Sequence, residues 1–291
     1  MAGDARPLPY GVIDLHVHVQ PWEMLLPAVR ARMESRPDAA ALAAMMHRPA
    51  DILALMDRAG VERIGMINYV APDLMGFTPE INDFAAGMAR HAPDRLIPFG
   101  SVHPRVTADP GGEVLRLRDL GIRALKVHPP HQLFAANAYL TDLPALAAVY
   151  ERAQEVGLPV MIHTGTSVFP GARNRFADPM AADDVAVDFP DLTLILAHAG
   201  RPLYMETCVF LARRHANVHL DVSGIPPRRL LTYLPRLAEL ADKVLWGTDW
   251  PDPGVRGLGE NLAEFRALGL PPEAERKILR TNACRIFGWE D

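Results

Sequence analysis

VIDLHVHV, residues 12–19, alternates in character. Ile13, Leu15, Val17 and Val19 recur with a period of two, so the segment reads as a strand with one apolar face. The same period puts Asp14, His16 and His18 together on the opposite face. Two imidazoles at i and i+2 on one strand point the same way and can serve one centre.

Seven further short apolar runs follow, separated by stretches of helical periodicity and punctuated by Gly or Pro. They are GVERIGMINYV (60–70), DRLIPFGSVHP (94–104), GIRALKVHPP (121–130), GLPVMIHTG (157–165), DLTLILAHAG (191–200), NVHLDVSG (217–224) and DKVLWGTDWP (242–251). Between the fourth and fifth runs, TDLPALAAVYERAQEVG (141–157) carries a capping Thr141 or Asp142, Pro144 in the first turn and Gly157 at the end, the marks of a helix. Only the connection from the first strand to the second is longer than one strand–helix unit, with two helical stretches between Pro21 and Gly60. Strands that alternate with helices make a parallel sheet, and eight such units predict a (β/α)8 TIM barrel. No Gly-rich dinucleotide fingerprint follows the first strand, which argues against an open doubly wound sheet. Residues 1–291 are read as a single barrel domain, with Pro271–Trp289 as a terminal helix closing against it.

Composition narrows the functional classes. Of 291 residues, 49% are hydrophobic and 22% charged, the profile of a folded globular chain. The net charge of -5 provides no basic surplus for a phosphate backbone, so nucleic acid is not an expected partner. Neither a signal-peptide core at the N-terminus nor an apolar run of roughly eighteen residues is found, so membrane association is not expected and a cytoplasmic location is. Cys208 and Cys284 lack metal-ligand spacing and are read as buried apolar residues.

A parallel barrel carries its active site at the C-terminal ends of its strands. Those ends are polar here: His16 and His18 on strand one, Lys126 and His128 on four, His163 on five, His198 on six, Asp221 and Ser223 on seven, Asp249 on eight. His16 and His18 can share an ion with His163 and Asp249 reaching it from across the mouth. A mixed nitrogen and oxygen donor set suits Zn2+, with Mn2+, Fe2+ or Co2+ as alternatives. Singly, a histidine at a strand end is more often a hydrogen-bonded or capping residue, the default reading for His103, His128 and His131.

IDLHVHV, MIHTGT, LILAHAG and VLWGTDWP, with the terminal ILRTNACRIFGW, resemble the amidohydrolase superfamily over nearly the whole chain. The likeness is to its amidohydrolase-related branch, which includes aminocarboxymuconate-semialdehyde decarboxylase. The resemblance implies a distorted barrel with one metal per chain, His16, His18, His163 and Asp249 matching the ligands and His198 the acid/base beside it. Lys126 stands where dinuclear members carry a bridging carboxylated lysine; in this mononuclear branch it is a substrate or structural contact.

The chemistry expected is hydrolysis of a small, carboxylate-bearing lactone, amide or ring C–N or C–O bond. A metal lowers the pKa of bound water from about 15.7 to about 7, His198 takes the proton and Asp249 passes it to the leaving group. The same apparatus supports non-oxidative decarboxylation of an aromatic or muconate-type acid, with His198 protonating carbon. Metal-free lactone hydrolysis and a non-catalytic binding protein are the remaining readings. Arg201, Arg173 and Arg175 are candidates to grip a substrate carboxylate, with Lys126 and His128 as further contacts. Phe169, Phe176 and Trp250 are candidate walls, although Trp250 fits equally well in the core beneath. Asp14 either fixes a histidine tautomer or caps backbone amides. The loops APDLMGFTPEINDF (71–84) and TGTSVFPGARNRFADP (164–179) are expected to set specificity. A homodimer is compatible with the sequence, but no motif requires one.

Overall fold

The computed structural model describes residues 8–252 and 254–291. Eight strands follow one another around a sheet in chain order: β1 (Val12–Val17), β2 (Val61–Met66), β3 (Leu96–Gly100), β4 (Ala124–Val127), β5 (Val160–His163), β6 (Leu194–Ala197), β7 (Val218–Asp221) and β8 (Val244–Leu245). Every neighbouring pair from β1–β2 to β7–β8 is parallel. The ring closes between β8 and β1, where Leu15 N donates to Trp246 O at 3.0 Å, Asp249 N to His16 O at 2.8 Å and His18 N to Trp250 O at 2.7 Å. The TIM barrel expected from the alternation is what forms.

Strand periodicity sorts the core into two. Ile13, Leu15, Ile97, Phe99, Met161 and Ile195 fill the barrel, while Val160, Ile162, Leu194 and Leu196 face the helices outside. Two residues beyond an inward residue the next one also points inward, so Met161 brings His163 to the mouth and Ala124 brings Lys126. Ala283, Cys284 and Phe287 plug the opposite end. They belong to a terminal segment that is helical but interrupted: α-helix over Pro272–Arg276, a π turn over Lys277–Thr281, then α-helix over Asn282–Phe287, ended by Gly288 at φ 68°.

β1 departs from simple alternation. Its pairing with β2 slips between Val12 and Ile13 and again between Asp14 and Val17. Ile13 and Leu15 belong to the barrel interior, whereas Val17 and Val19 belong to the outer layer. The four apolar residues therefore do not share one face, and the slip is what turns His16 to the mouth directly after inward-facing Leu15. The first connection also holds three α-helices, Pro27–Glu34, Ala39–Met45 and Pro49–Ala59, where two were expected. Among the described residues no helix is long and apolar enough to cross a membrane.

Candidate active site

His16 Nε2, His18 Nε2 and Asp249 Oδ1 converge at the barrel mouth. The two imidazole nitrogens lie 3.4 and 3.1 Å from the carboxylate oxygen, and one donor atom from each residue falls within 4.8 Å of the others. The far nitrogens settle which ring atoms carry hydrogen. His16 Nδ1 lies 2.5 Å from Asp221 Oδ2, and His18 Nδ1 lies 3.3 Å from the Ile67 carbonyl. Both partners accept only, so in neutral imidazoles the protons sit on Nδ1 and the Nε2 lone pairs face Asp249. Three acceptors then point at one another with nothing to donate between them, an arrangement that a cation satisfies.

Burial keeps His16, His163 and His198 neutral. Burial, with the nearby Lys126 ammonium, pulls the His16 pKa down to about 4, and burial and neighbouring cationic groups hold His163 and His198 well below the usual imidazole range. Asp249 and His198 both adopt left-handed backbone, with φ of 70° and 66°. For non-glycine residues that conformation is costly and tends to mark functional sites.

His163 stands beside this cluster, 4.7 Å ring to ring from His198, with Nε2 buried and without a partner among the described residues. His198 donates from Nδ1 to the Ser223 carbonyl at 3.1 Å, with Ser223 Oγ at 3.0 Å. Ser223 Oγ in turn donates to Asp221 Oδ2 at 2.7 Å. Asp221 and Ser223 thus orient both His16 and His198. The sequence placed these two at a strand end but gave no sign of that role.

Asp14 does not fix a histidine tautomer. Its Oδ1 accepts from His16 N at 3.2 Å and Thr248 N at 2.9 Å, the amide-capping alternative, and burial raises its carboxyl to about 7 against those hydrogen bonds.

The mouth opens into a cavity of about 340 Å3, within the usual range for small-ligand sites. His16, His18, His163, His198 and Asp249 line one part, and Lys126, His128 and Arg201 also reach it. Lys126 Nζ is buried without a partner among the described residues, and burial lowers its pKa to about 8. Arg201 donates from Nη2 to Asp249 Oδ2 at 3.1 Å while its Nε lacks a protein partner. Trp22, Leu25, Met75 and Phe169 form apolar wall.

Four residues read as site candidates lie elsewhere. Arg173 is exposed and does not line the cavity; Arg175, also exposed, lies over the Phe176 ring. Trp250 is 5% exposed and packs in the outer core, because its backbone is held in the β8–β1 closure with its nitrogen on Thr248 Oγ1. Phe176 is likewise absent from the lining. The wall tryptophan is instead Trp22, from the long first connection, where no periodic signal marks which residues turn inward.

The profile of the family described as Amidohydrolase matches residues 13–289. The chain belongs to the amidohydrolase family. This amidohydrolase is 25% identical over 299 aligned residues to 4-sulfomuconolactone hydrolase of Rhizobium radiobacter, covering 97% of its own length and 91% of the relative. Among solved structures it is similar to a TIM-barrel protein of Bordetella bronchiseptica, with a TM-score of 0.75 at 23% identity over 96% and 99% of the two chains. It is also similar to 5-carboxyvanillate decarboxylase of Sphingomonas paucimobilis, with a TM-score of 0.67 at 19% identity over 96% and 99%. These structural likenesses establish the shared barrel. The named homologue and the family place this amidohydrolase among enzymes of the superfamily.

Proposed function

We propose that the protein is a metal-dependent hydrolase of small, carboxylate-bearing substrates, opening a lactone, amide or ring C–N or C–O bond. The observation that carries this reading is the convergence of His16 Nε2, His18 Nε2 and Asp249 Oδ1 without a hydrogen to share. These residues, with the partnerless His163 Nε2 beside them, would hold one divalent metal, and the nitrogen-rich donor set favours Zn2+ over Mn2+, Fe2+ or Co2+. When bound, such an ion acidifies water to a pKa of about 7 and polarises a carbonyl.

The chain's own residues supply the remaining work. His198 is tied through Nδ1 to Ser223, so Nε2 is the nitrogen left to take a proton in the cavity and return it to the leaving oxygen or nitrogen. Asp249 Oδ2 is held by Arg201, which fixes the carboxylate plane. The remaining guanidinium donors and the Lys126 ammonium provide the positive groups that a substrate carboxylate needs. The sulfomuconolactone hydrolase relative acts on a lactone, as its name states, and supports the hydrolytic reading.

Decarboxylation of an aromatic or muconate-type acid is the second reading, supported by the same carboxylate-receptive cavity, with proton delivery by His198 Nε2 to carbon as CO2 leaves. The deciding experiment compares metal content of the wild type and the His16→Ala/His18→Ala double variant, purified without chelator. The expected result is about one zinc per chain, lost in the variant. Screening lactones, amides and aromatic carboxylates with CO2 detection then separates the two reactions. Turnover that survives complete metal removal overturns the metal-dependent reading.

A further inference from the structure

Away from the converging acceptors, three side chains from the connections after three strands form a second polar file on the cavity wall. Tyr69 follows β2, His131 follows β4 and Ser167 follows β5. Tyr69 Oη lies 3.0 Å from His131 Nδ1, and His131 Nε2 lies 2.7 Å from Ser167 Oγ. All three line the cavity, and none hydrogen-bonds to His16, His18, His163 or Asp249. His131 is buried, stacked on His128 at 3.7 Å and met edge-on by Phe169 at 5.4 Å, so the ring is held in place. Burial, with the Lys126 charge, pulls its pKa down to about 3, leaving one ring proton.

That single proton allows two arrangements. If Tyr69 donates to Nδ1, then Nε2–H donates to Ser167 and the Ser167 hydroxyl hydrogen is free. If Ser167 donates to Nε2, then Nδ1–H donates to Tyr69 and the phenol hydrogen is free. Ser167 Oγ also accepts from Phe169 N at 3.3 Å, which uses a lone pair and not the hydrogen. Either way one hydroxyl hydrogen has no acceptor among the described residues, and both hydroxyls belong to cavity-lining residues.

The geometry points to a second recognition subsite here: the Tyr69–His131–Ser167 file donates one hydrogen bond to an acceptor oxygen, a carboxylate in particular, at the end of the substrate not held by Arg201 and the converging His16, His18 and Asp249. The two arrangements carry the same charge and differ only in the His131 tautomer, so the free donor can sit on either wall residue; exchange between them moves the Tyr69 proton to Nδ1, the Nε2 proton to Ser167 Oγ, and one Ser167 proton back to Tyr69 Oη through solvent in the cavity. It selects acids with a second oxygen acceptor over those with one carboxylate. This inference deepens the proposed function and rests on the cavity being the substrate site.

The test is isothermal titration of the zinc-supplemented full-length protein with benzene-1,3-dicarboxylate and with benzoate. The wild type is expected to prefer the dicarboxylate by about ten-fold, the usual size of one hydrogen bond to a charged group. Ser167→Ala and Tyr69→Phe each leave one hydroxyl able to donate, so each is expected to lower the preference only in part and to leave benzoate affinity unchanged. The double variant, left with neither hydroxyl, is expected to lose the preference, more than either single, because each hydroxyl can substitute for the other. Long-range proton–nitrogen spectra are expected to show a neutral His131 whose tautomer responds to the dicarboxylate but not to benzoate. No preference in the wild type, no binding of either acid, equal losses for both acids, or a preference that survives the double variant would each overturn the subsite. Metal analysis reports separately on the hydrolase reading, so a metal-free chain that still selects the dicarboxylate through Ser167 would keep the subsite and lose the reaction.

Discussion

His16 Nδ1 and Asp221 Oδ2 lie 2.5 Å apart, with both side chains fully buried. The carboxylate accepts the imidazole hydrogen, so the lone pair of His16 is directed from Nε2 toward Asp249. Groups that orient a metal-binding histidine in this way usually contribute 10–100-fold, as an order of magnitude, to metal affinity. Asp221→Asn is therefore expected to weaken zinc binding by about that factor with the fold intact. Competition against a chromophoric chelator measures the affinity, and circular dichroism checks the fold; unchanged affinity would reduce Asp221 to a packing role.

Gly224 leaves the room in which Arg201 and Asp249 meet. Its φ is +65°, and a Cβ there would stand 2.5 Å from Arg201 Nη2 and 2.6 Å from Asp249 Oδ2. Gly224→Ala adds a left-handed backbone cost of about 1–2 kcal/mol to that clash. Benzoate affinity is expected to drop at least about ten-fold as the pair is forced apart, the size of one lost charge-assisted hydrogen bond. Titration calorimetry reads the change, and wild-type affinity would show that the pair tolerates displacement.

Arg201 is partly exposed and joins Asp249 while keeping donors for a ligand. Removing a charge-assisted hydrogen bond costs about 1.5–3 kcal/mol, so Arg201→Ala should weaken carboxylate binding roughly 10- to 150-fold while metal content stays near wild type. Arg201→Lys should recover only part of it, since an ammonium lacks the planar fork that serves two carboxylates. Loss of metal in Arg201→Ala would show that its main task is to hold Asp249.

Acid stability carries a separate signature. His219 on β7 is buried with Nδ1 unpartnered, and burial, with Lys243 and Arg285 nearby, lowers its pKa to about 4 from an ordinary value of about 6.5. Between those values the unfolded chain binds more protons than the folded one, so stability rises with pH through the window and is lost as pH falls from about 6.5 to about 4. His219→Leu should flatten the urea-derived stability profile there by about 1.4 kcal/mol per pH unit. Parallel profiles for the two proteins would show that His219 does not titrate differently on folding.

The sequence by itself determined the barrel and most of the residues that meet at its mouth. Strand–helix alternation forces a parallel sheet, closure of eight units puts strand ends on one rim, and His16, His18, Lys126, His163 and His198 are strand or strand-end residues whose positions follow from that rim. Tertiary structure decided everything that depends on where the chain leaves regular geometry. The slip in β1 split its apolar residues between two cores; the left-handed backbone of Asp249 went with a carboxylate in the cavity while the next residue, Trp250, turned to the outer core. The conformation of the connections after β2, β4 and β5 brought Tyr69, His131 and Ser167 into one file and left Arg173 on the surface. Periodicity reports a side chain's direction only while neighbouring residues repeat the same backbone angles. In loops and bulges those angles are set by contacts distant in sequence, and there the residue string carries no direction of its own.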